Sequence, residues 1–389
     1  MGRNTIGMTR ASLQSILLLA VLLIGGACQQ EEQAQTLLEK ALSSDDPAIA
    51  KVMADPEKYE LQIRLSKIVK QGEQLRFEDI DYQVDDSVYF YPASTAKFAV
   101  AVAALEKLNQ QGIDLQQRYY IEGDSLEASF ADDIRAVFAV SDNHANNRLF
   151  EYVGQDGINA QLSERGVGPI RIAHRLSTAL ADTLITRPLL LLGQNEESTA
   201  TTAIENSPIE ALELKGVTKG IGFMAGGERI DEPFDFSRKN YFPISAQNAL
   251  LKRVIFPEAF EENDRLQISE SQREYLLQTM SKLPREQGYD PEKYYDGYVK
   301  FFLFGDSEDV IPTDFKIYNK VGYAYGTLTD TAYIINQKEG VAFLLHATIL
   351  VNADGVFNDD QYEYDEIGIP FLAALGRELY RLQKEEGNK

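Results

Sequence analysis

One cysteine, Cys28, three histidines and no tryptophan are found in 389 residues. A lone thiol has no partner within the chain, so no internal disulfide is expected and stability must come from core packing, for which the chain is long enough. The histidines, His144, His174 and His346, show no pair at helical ligand spacing, which argues against a metal site. Positive charge is also scarce. Lys and Arg total 38 against 60 Asp and Glu, a formal charge of −22. That acidity repels polyanions and argues against a nucleic-acid partner. Beyond residue 25 no apolar run is long enough to cross a bilayer.

The one greasy stretch is residues 15–25, preceded by Arg3 and Arg10 and followed by the small residues Gly25, Gly26 and Ala27 before Cys28. It is too short for a membrane span and has the layout of a signal peptide. With Cys28 at the cut, the segment resembles a bacterial lipoprotein box, although Gly25 stands where a larger aliphatic residue is usual. The resemblance implies removal of residues 1–27, lipidation at Cys28, and an exported protein held to a bacterial membrane. A plain secretory signal is the alternative. Residues 28–44 then form a tether, and 45–385 a single folded domain.

Within that domain, residues 36–42 and 47–54 read as short helices. Residues 59–70 and 75–90 alternate as two strands around a turn at 71–74. Residues 94–111 make the strongest helical pattern, with Phe98, Val102 and Leu105 on one face, alanines filling much of the rest, and Gly112 as a stop. Further helices are expected at 144–153, 159–165, 184–192, 245–254 and 269–283. Residues 193–240 and 287–307 read as irregular. Strands at 315–322, 329–336 and 341–351 precede a helix at 366–384 with a leucine stripe. Strands at both ends with helices between predict an α+β fold: an antiparallel sheet built from both termini, flanked by helices, with an all-helical subdomain.

Three short motifs carry the chemistry. Ser94-Thr95-Ala96-Lys97 opens the apolar helix and places a hydroxyl and an amine about one turn apart. A serine hydroxyl needs a neighbouring base to act as a nucleophile, and a buried lysine with a lowered pKa can supply it. A charged lysine within so apolar a helix is costly unless paired or neutral. Ser141-Asp142-Asn143 follows between two expected helices, and Lys320-Val321-Gly322 lies on a late strand.

In this order and context the motifs resemble the serine beta-lactamase and penicillin-binding protein superfamily, most closely the class A beta-lactamase-like serine hydrolases, over residues 45–380. The resemblance implies that Ser94 attacks a carbonyl carbon to form an acyl-enzyme, and that Lys97 accepts or relays the serine proton. It implies that Ser141 passes a proton to the departing nitrogen and that Asn143 hydrogen-bonds the substrate amide. Lys320, on an edge strand, would attract a substrate carboxylate and tune Ser141. Gly322 would let substrate approach the strand. The Tyr323 and Ser94 backbone N–H groups would form the oxyanion hole, and Asp142 would fix its loop. No cofactor is implied.

Two departures stand out. Val321 occupies a position where the family has a hydroxyl, with Thr327 nearby. The family's deacylating glutamate, with its following leucine and asparagine, has no counterpart in residues 172–183. His174 and Asp182 are the candidates there for a substitute, with a structural role as the reading that competes for each. The expected function is therefore an exported serine hydrolase cleaving a beta-lactam or related amide or ester through acyl-Ser94. A peptidoglycan DD-peptidase or acyltransferase, and an inactive binding protein on the same fold, are the alternatives.

Overall fold

Alternation in the strand Val341–Leu350 sets the plan of the molecule. Phe343, Leu345, Ala347 and Ile349 enter one apolar cluster, which also holds Phe371, Leu372, Leu375 and Leu379 of the C-terminal helix Ile369–Gly387. Leu344 joins a second cluster on the opposite face, with the helix Ala96–Gln111. A period-two strand buried on both faces becomes the wall between two cores. The computed structural model describes residues 1–2, 35–72, 74–193 and 197–387. Residues Met1–Gln35 and Thr36–Lys389 form separate units, and the fold is that of the second. Cys28 and the segment expected as a signal peptide lie outside the described residues. No described helix is long and apolar enough to cross a membrane.

The main sheet has five strands, in the order Phe315–Ala324, Thr327–Asn336, Val341–Leu350, Gln62–Gln71 and Gln74–Tyr82. All neighbours pair antiparallel. The sheet is thus built from both ends of the chain, as the pattern predicts, and Phe315–Ala324 is an edge. One face is covered by the short N-terminal helix Leu37–Leu42 and the C-terminal helix. The other face meets the helical part: Ala96–Gln111, Phe130–Ala139, Asn143–Val153, Gln155–Glu164, Ile244–Ile255 and Glu270–Ser281. The expected α+β architecture is the observed one.

Ala96–Gln111 is buried on nearly every side, consistent with its small side chains, and even Lys97 and Glu106 are enclosed. Gly112 ends it at φ +64°, with the Ile113 N–H donating to Leu108 O at 3.0 Å; glycine meets that left-handed requirement without steric cost. The helix Phe130–Ala139 has no counterpart in the sequence reading, although Ser129 caps it by accepting from Asp132 N at 3.1 Å.

Residues 184–192 are not helical. Leu189–Leu192 is instead a strand between Arg118–Ile121 and Ser198–Ala200. Four consecutive leucines carry no period, and Pro188 biases the residue before it towards extended backbone. Residues 193–240 are also more ordered than expected. Thr218–Lys219 pairs with Phe234–Asp235, and Gly222–Ala225 pairs with both Glu228–Ile230 and Val356–Phe357.

Candidate active site

Ser94 sits in the short 3-10 turn Ala93–Thr95 that leads into Ala96–Gln111. Its side chain is half-buried and lines a cleft of about 650 Å³. The helix N-terminus that follows favours negative charge developing at this point. One turn further on, Lys97 is 1% exposed. Its Nζ donates to the Ser141 carbonyl and lies 3.2 Å from Ser141 Oγ. Burial pulls the amine down to about 7, partly opposed by the Asp142 carboxylate.

Ser141 and Asn143 are brought in by a tight turn before the helix Asn143–Val153. Ser141 itself has φ +57°, a left-handed conformation that costs a non-glycine residue energy. Asp142 caps the helix by accepting from Ala145 N at 2.7 Å, a contact worth about 1 kcal/mol. The cap holds the turn, the turn aims the Ser141 hydroxyl at the two lysines, and Asp142 has the loop-fixing place the resemblance implied. Asn143 donates from Nδ2 to Ser177 Oγ at 3.0 Å, and both residues line the cleft.

Lys320 arrives from the edge strand Phe315–Ala324. It is 2% exposed, and its Nζ donates to Ser141 Oγ at 2.8 Å and to the Val321 carbonyl at 2.8 Å. Burial, reinforced by the neighbouring Lys97 amine, pushes its pKa well below the usual lysine value. Two amines therefore meet at one hydroxyl. Below them lies a buried polar network. Lys300 Nζ donates to Met280 O at 2.7 Å, Ile317 O at 2.8 Å and Asn319 Oδ1 at 2.6 Å, and Asn319 Nδ2 donates to Asp330 Oδ1 at 2.9 Å. Burial raises Asp330 to about 6 and lowers Lys300 to about 7.

Gly322 has a different part from the one expected. A β-carbon there would stand 2.7 Å from Ser94 N, 2.9 Å from Pro92 O and 2.9 Å from Thr95 N. The missing side chain lets the strand close on the backbone that carries Ser94, rather than opening room for substrate. Tyr323 is next. Tyr325 (φ +53°) and Gly326 (φ +72°) form the two-residue loop between the strands, a type I′ hairpin whose closing pair, Ala324 and Thr327, is hydrogen-bonded. Alternation along an antiparallel ladder then turns the Tyr323 N–H away from the neighbouring strand, to the open edge. That is the direction an oxyanion-hole donor beside Ser94 requires. Val321 packs in the cluster under the C-terminal helix, and Thr327, opposite Ala324, is buried.

The two substitutes for the missing glutamate fare differently. His174 is buried and lines the cleft, and its Nδ1–H donates to Arg175 O at 2.7 Å. Its Nε2 is enclosed without a partner, and burial lowers the ring to about 4. Asp182 is exposed.

Several contributors had no sequence motif. Ser177, at φ +48°, meets Asn143. Glu151 accepts from Arg175 Nε at 2.9 Å and Nη2 at 2.7 Å, pinning the segment that carries His174 and Ser177. Tyr91, Tyr323, Tyr325, Tyr362 and Tyr364 wall the cleft. Tyr362 OH accepts from Asn358 N at 2.7 Å and Tyr364 OH from Gly326 N at 2.9 Å. Only the scatter of tyrosines near the third motif hinted at this wall.

The family model for the beta-lactamase enzyme family matches residues 48–209. No curated protein sequence matches the chain. Among solved structures, the fold is similar to the TLA-3 extended-spectrum beta-lactamase (16% identity, TM-score 0.52, covering 89% of this chain and 98% of that one). It is also similar to a class A beta-lactamase from Bacteroides cellulosilyticus (14% identity, TM-score 0.52, 90% and 98% covered). A beta-lactamase from Xanthomonas campestris shares 18% identity at TM-score 0.51, with 87% and 98% covered.

Proposed function

We propose that this chain, which matches the beta-lactamase enzyme family model over residues 48–209 and is similar in fold to class A beta-lactamases, is an acyl-transferring serine hydrolase that opens a beta-lactam or a related amide or ester at Ser94. The observation that carries this reading is the meeting of Lys97 and Lys320 on the Ser141 hydroxyl behind the cleft.

The steps are those the resemblance implies, supported by the burial of Lys97 and by the contacts of Lys97 and Lys320 with the Ser141 hydroxyl. Lys97, buried and with its affinity for protons lowered to near neutrality, takes the Ser94 proton as Oγ bonds to the substrate carbonyl carbon. The Ser94 and Tyr323 N–H groups stabilise the oxyanion. As the carbon–nitrogen bond breaks, the nitrogen receives a proton from the Ser141 hydroxyl, which is resupplied through the lysines. Asn143, at the cleft surface, orients the substrate amide. Lys320 supplies positive charge at the far side of Ser141. The same proposal places the enzyme outside the cytoplasm, held by a lipid on Cys28.

The test is to incubate the full chain with a chromogenic cephalosporin and with a fluorescent penicillin, beside Ser94→Ala. Covalent labelling or turnover that disappears in the variant is the expected result. Absence of both in folded wild-type protein would overturn the beta-lactam assignment.

A further inference from the structure

Tyr323, directly after Gly322 on the edge strand, begins an aromatic wall. Its ring meets Tyr364 edge-on at 5.5 Å, and Tyr364 meets Tyr362 at 5.3 Å. On the same cleft Tyr325 meets Tyr91 at 5.1 Å. The hydroxyls of Tyr362 and Tyr364 accept from the backbone N–H groups of Asn358 and Gly326, which fixes those two rings in place. Tyr323 is 49% exposed. Ring faces are electronegative and attract cations.

The charges around the wall have the sign that fits this. Among the described residues the one carboxylate lining the cleft is Asp360, which is exposed and paired with no lysine or arginine. Burial raises the phenols of Tyr362 and Tyr364, and the Asp360 charge adds to both shifts, so the carboxylate lies close to the two rings. Cations are placed elsewhere. Neither Lys97 nor Lys320 lines the cleft, and both bond to Ser141. Arg175 is committed to Glu151. Lys239 stands near His174, whose ring is held down first by burial and also by the Lys239 charge.

We propose that the tyrosine wall and Asp360 receive an alkylammonium group, so that the amide or ester that acylates Ser94 is one that carries a cation. The substrate clause rests on the Ser94 reading; the preference of the wall for a cation does not, and it is measured separately.

The experiment has two arms, both on the full chain. Calorimetric titration compares choline with its neutral isostere 3,3-dimethylbutanol and with 3,3-dimethylbutanoate. Choline is expected to bind about tenfold more tightly than the alcohol, and the acid more weakly than either. The second arm compares phenylacetyl thioesters of thiocholine, of 3,3-dimethylbutanethiol and of 3-mercaptopropionate. Ser94 Oγ bonds to the carbonyl carbon, the carbon–sulfur bond breaks, and the thiol leaves with the proton from Oγ; water then splits the acyl-serine into phenylacetic acid and free Ser94. Thiol release, read with a chromogenic disulfide, should give kcat/KM about tenfold higher for the thiocholine ester than for the neutral one, with choline competing. Asp360→Asn, at an exposed position, is expected to reduce both preferences about threefold. Equal binding of choline and the alcohol, or tighter binding of the acid, overturns the inference and leaves the Ser94 reading intact. Preferences unchanged in Asp360→Asn overturn the part given to Asp360. Choline bound preferentially, with no Ser94-dependent cleavage of any ester and no labelling by penicillin, overturns the Ser94 reading and the substrate clause, while the cation site stands.

Discussion

Lys320 spans 179 residues of sequence to place its amine 2.8 Å from the Ser141 hydroxyl, the same hydroxyl that Lys97 approaches from the helix side at 3.2 Å. Neither amine bonds the other; the serine between them links the two. Removing that hydroxyl separates the lysines' functions without adding bulk. Ser141→Ala is therefore expected to slow acylation of Ser94 by about 10²-fold or more, with the lysines still enclosed. Stopped-flow labelling with a fluorescent penicillin measures the rate. A value within threefold of wild type would remove Ser141 from the proton path.

The state of Lys97 predicts a pH profile. Burial lowers the amine to about 7, and only its neutral form accepts a proton. The neutral fraction grows as pH rises through that value, so the acylation rate should climb about tenfold per unit below pH 7 and level off above it. Second-order labelling rates from pH 5 to 9 test this. A flat profile, or one that falls as pH rises through 7, contradicts the role of Lys97 as base.

Gly322 offers a steric prediction. A methyl group there meets three backbone atoms within 2.9 Å, Ser94 N among them, and backbone does not swing aside as a flexible side chain would. Gly322→Ala must push the edge strand off the turn that carries Ser94. A stability loss of roughly 1–3 kcal/mol is expected from such overpacking, together with loss of labelling, because Ser94 and the Tyr323 N–H move apart. Urea unfolding beside the labelling assay distinguishes this from a change in chemistry alone, and a variant that unfolds and labels like wild type would refute the close contact.

The elements most legible in the sequence were those fixed by local pattern. The alanine-rich run after Ser94, the strand expected at 341–351 and the leucine stripe near the C-terminus each sit where the sequence reading places them, the strand ending at Leu350. The three spaced motifs were legible, and the fold draws Lys97 and Lys320 together at Ser141. What stayed hidden depends on pairing rather than period. Leu189–Leu192 is a strand because Arg118–Ile121 and Ser198–Ala200 flank it, and nothing in four leucines announces those partners. The position of Ser177 opposite Asn143 is likewise set by a distant anchor, Glu151. The part of Gly322 was misjudged because a glycine on a strand signals a close approach without naming what approaches.

That anchor yields the last prediction. Glu151 and Arg175 are 1% and 3% exposed, and they meet through two hydrogen bonds of 2.9 and 2.7 Å. Arg175 also donates to Thr183 O at 2.6 Å, and Glu151 accepts from Arg187 N at 2.9 Å. The pair thus closes the segment between residues 175 and 187 into a loop with both ends tied to one carboxylate. Glu151→Met leaves a buried guanidinium without its counter-charge, a situation that costs roughly 3–5 kcal/mol. The double variant Glu151→Met with Arg175→Met removes both charges and should recover part of that loss, since the desolvation of each ion is no longer incurred. Denaturant midpoints of the single and double variants measure the difference. Limited proteolysis reports where it acts: cleavage should rise first at the exposed residues 177–183 in the single variant. If the single variant is no less stable than wild type, and resists protease equally, the pair does not hold the cleft floor.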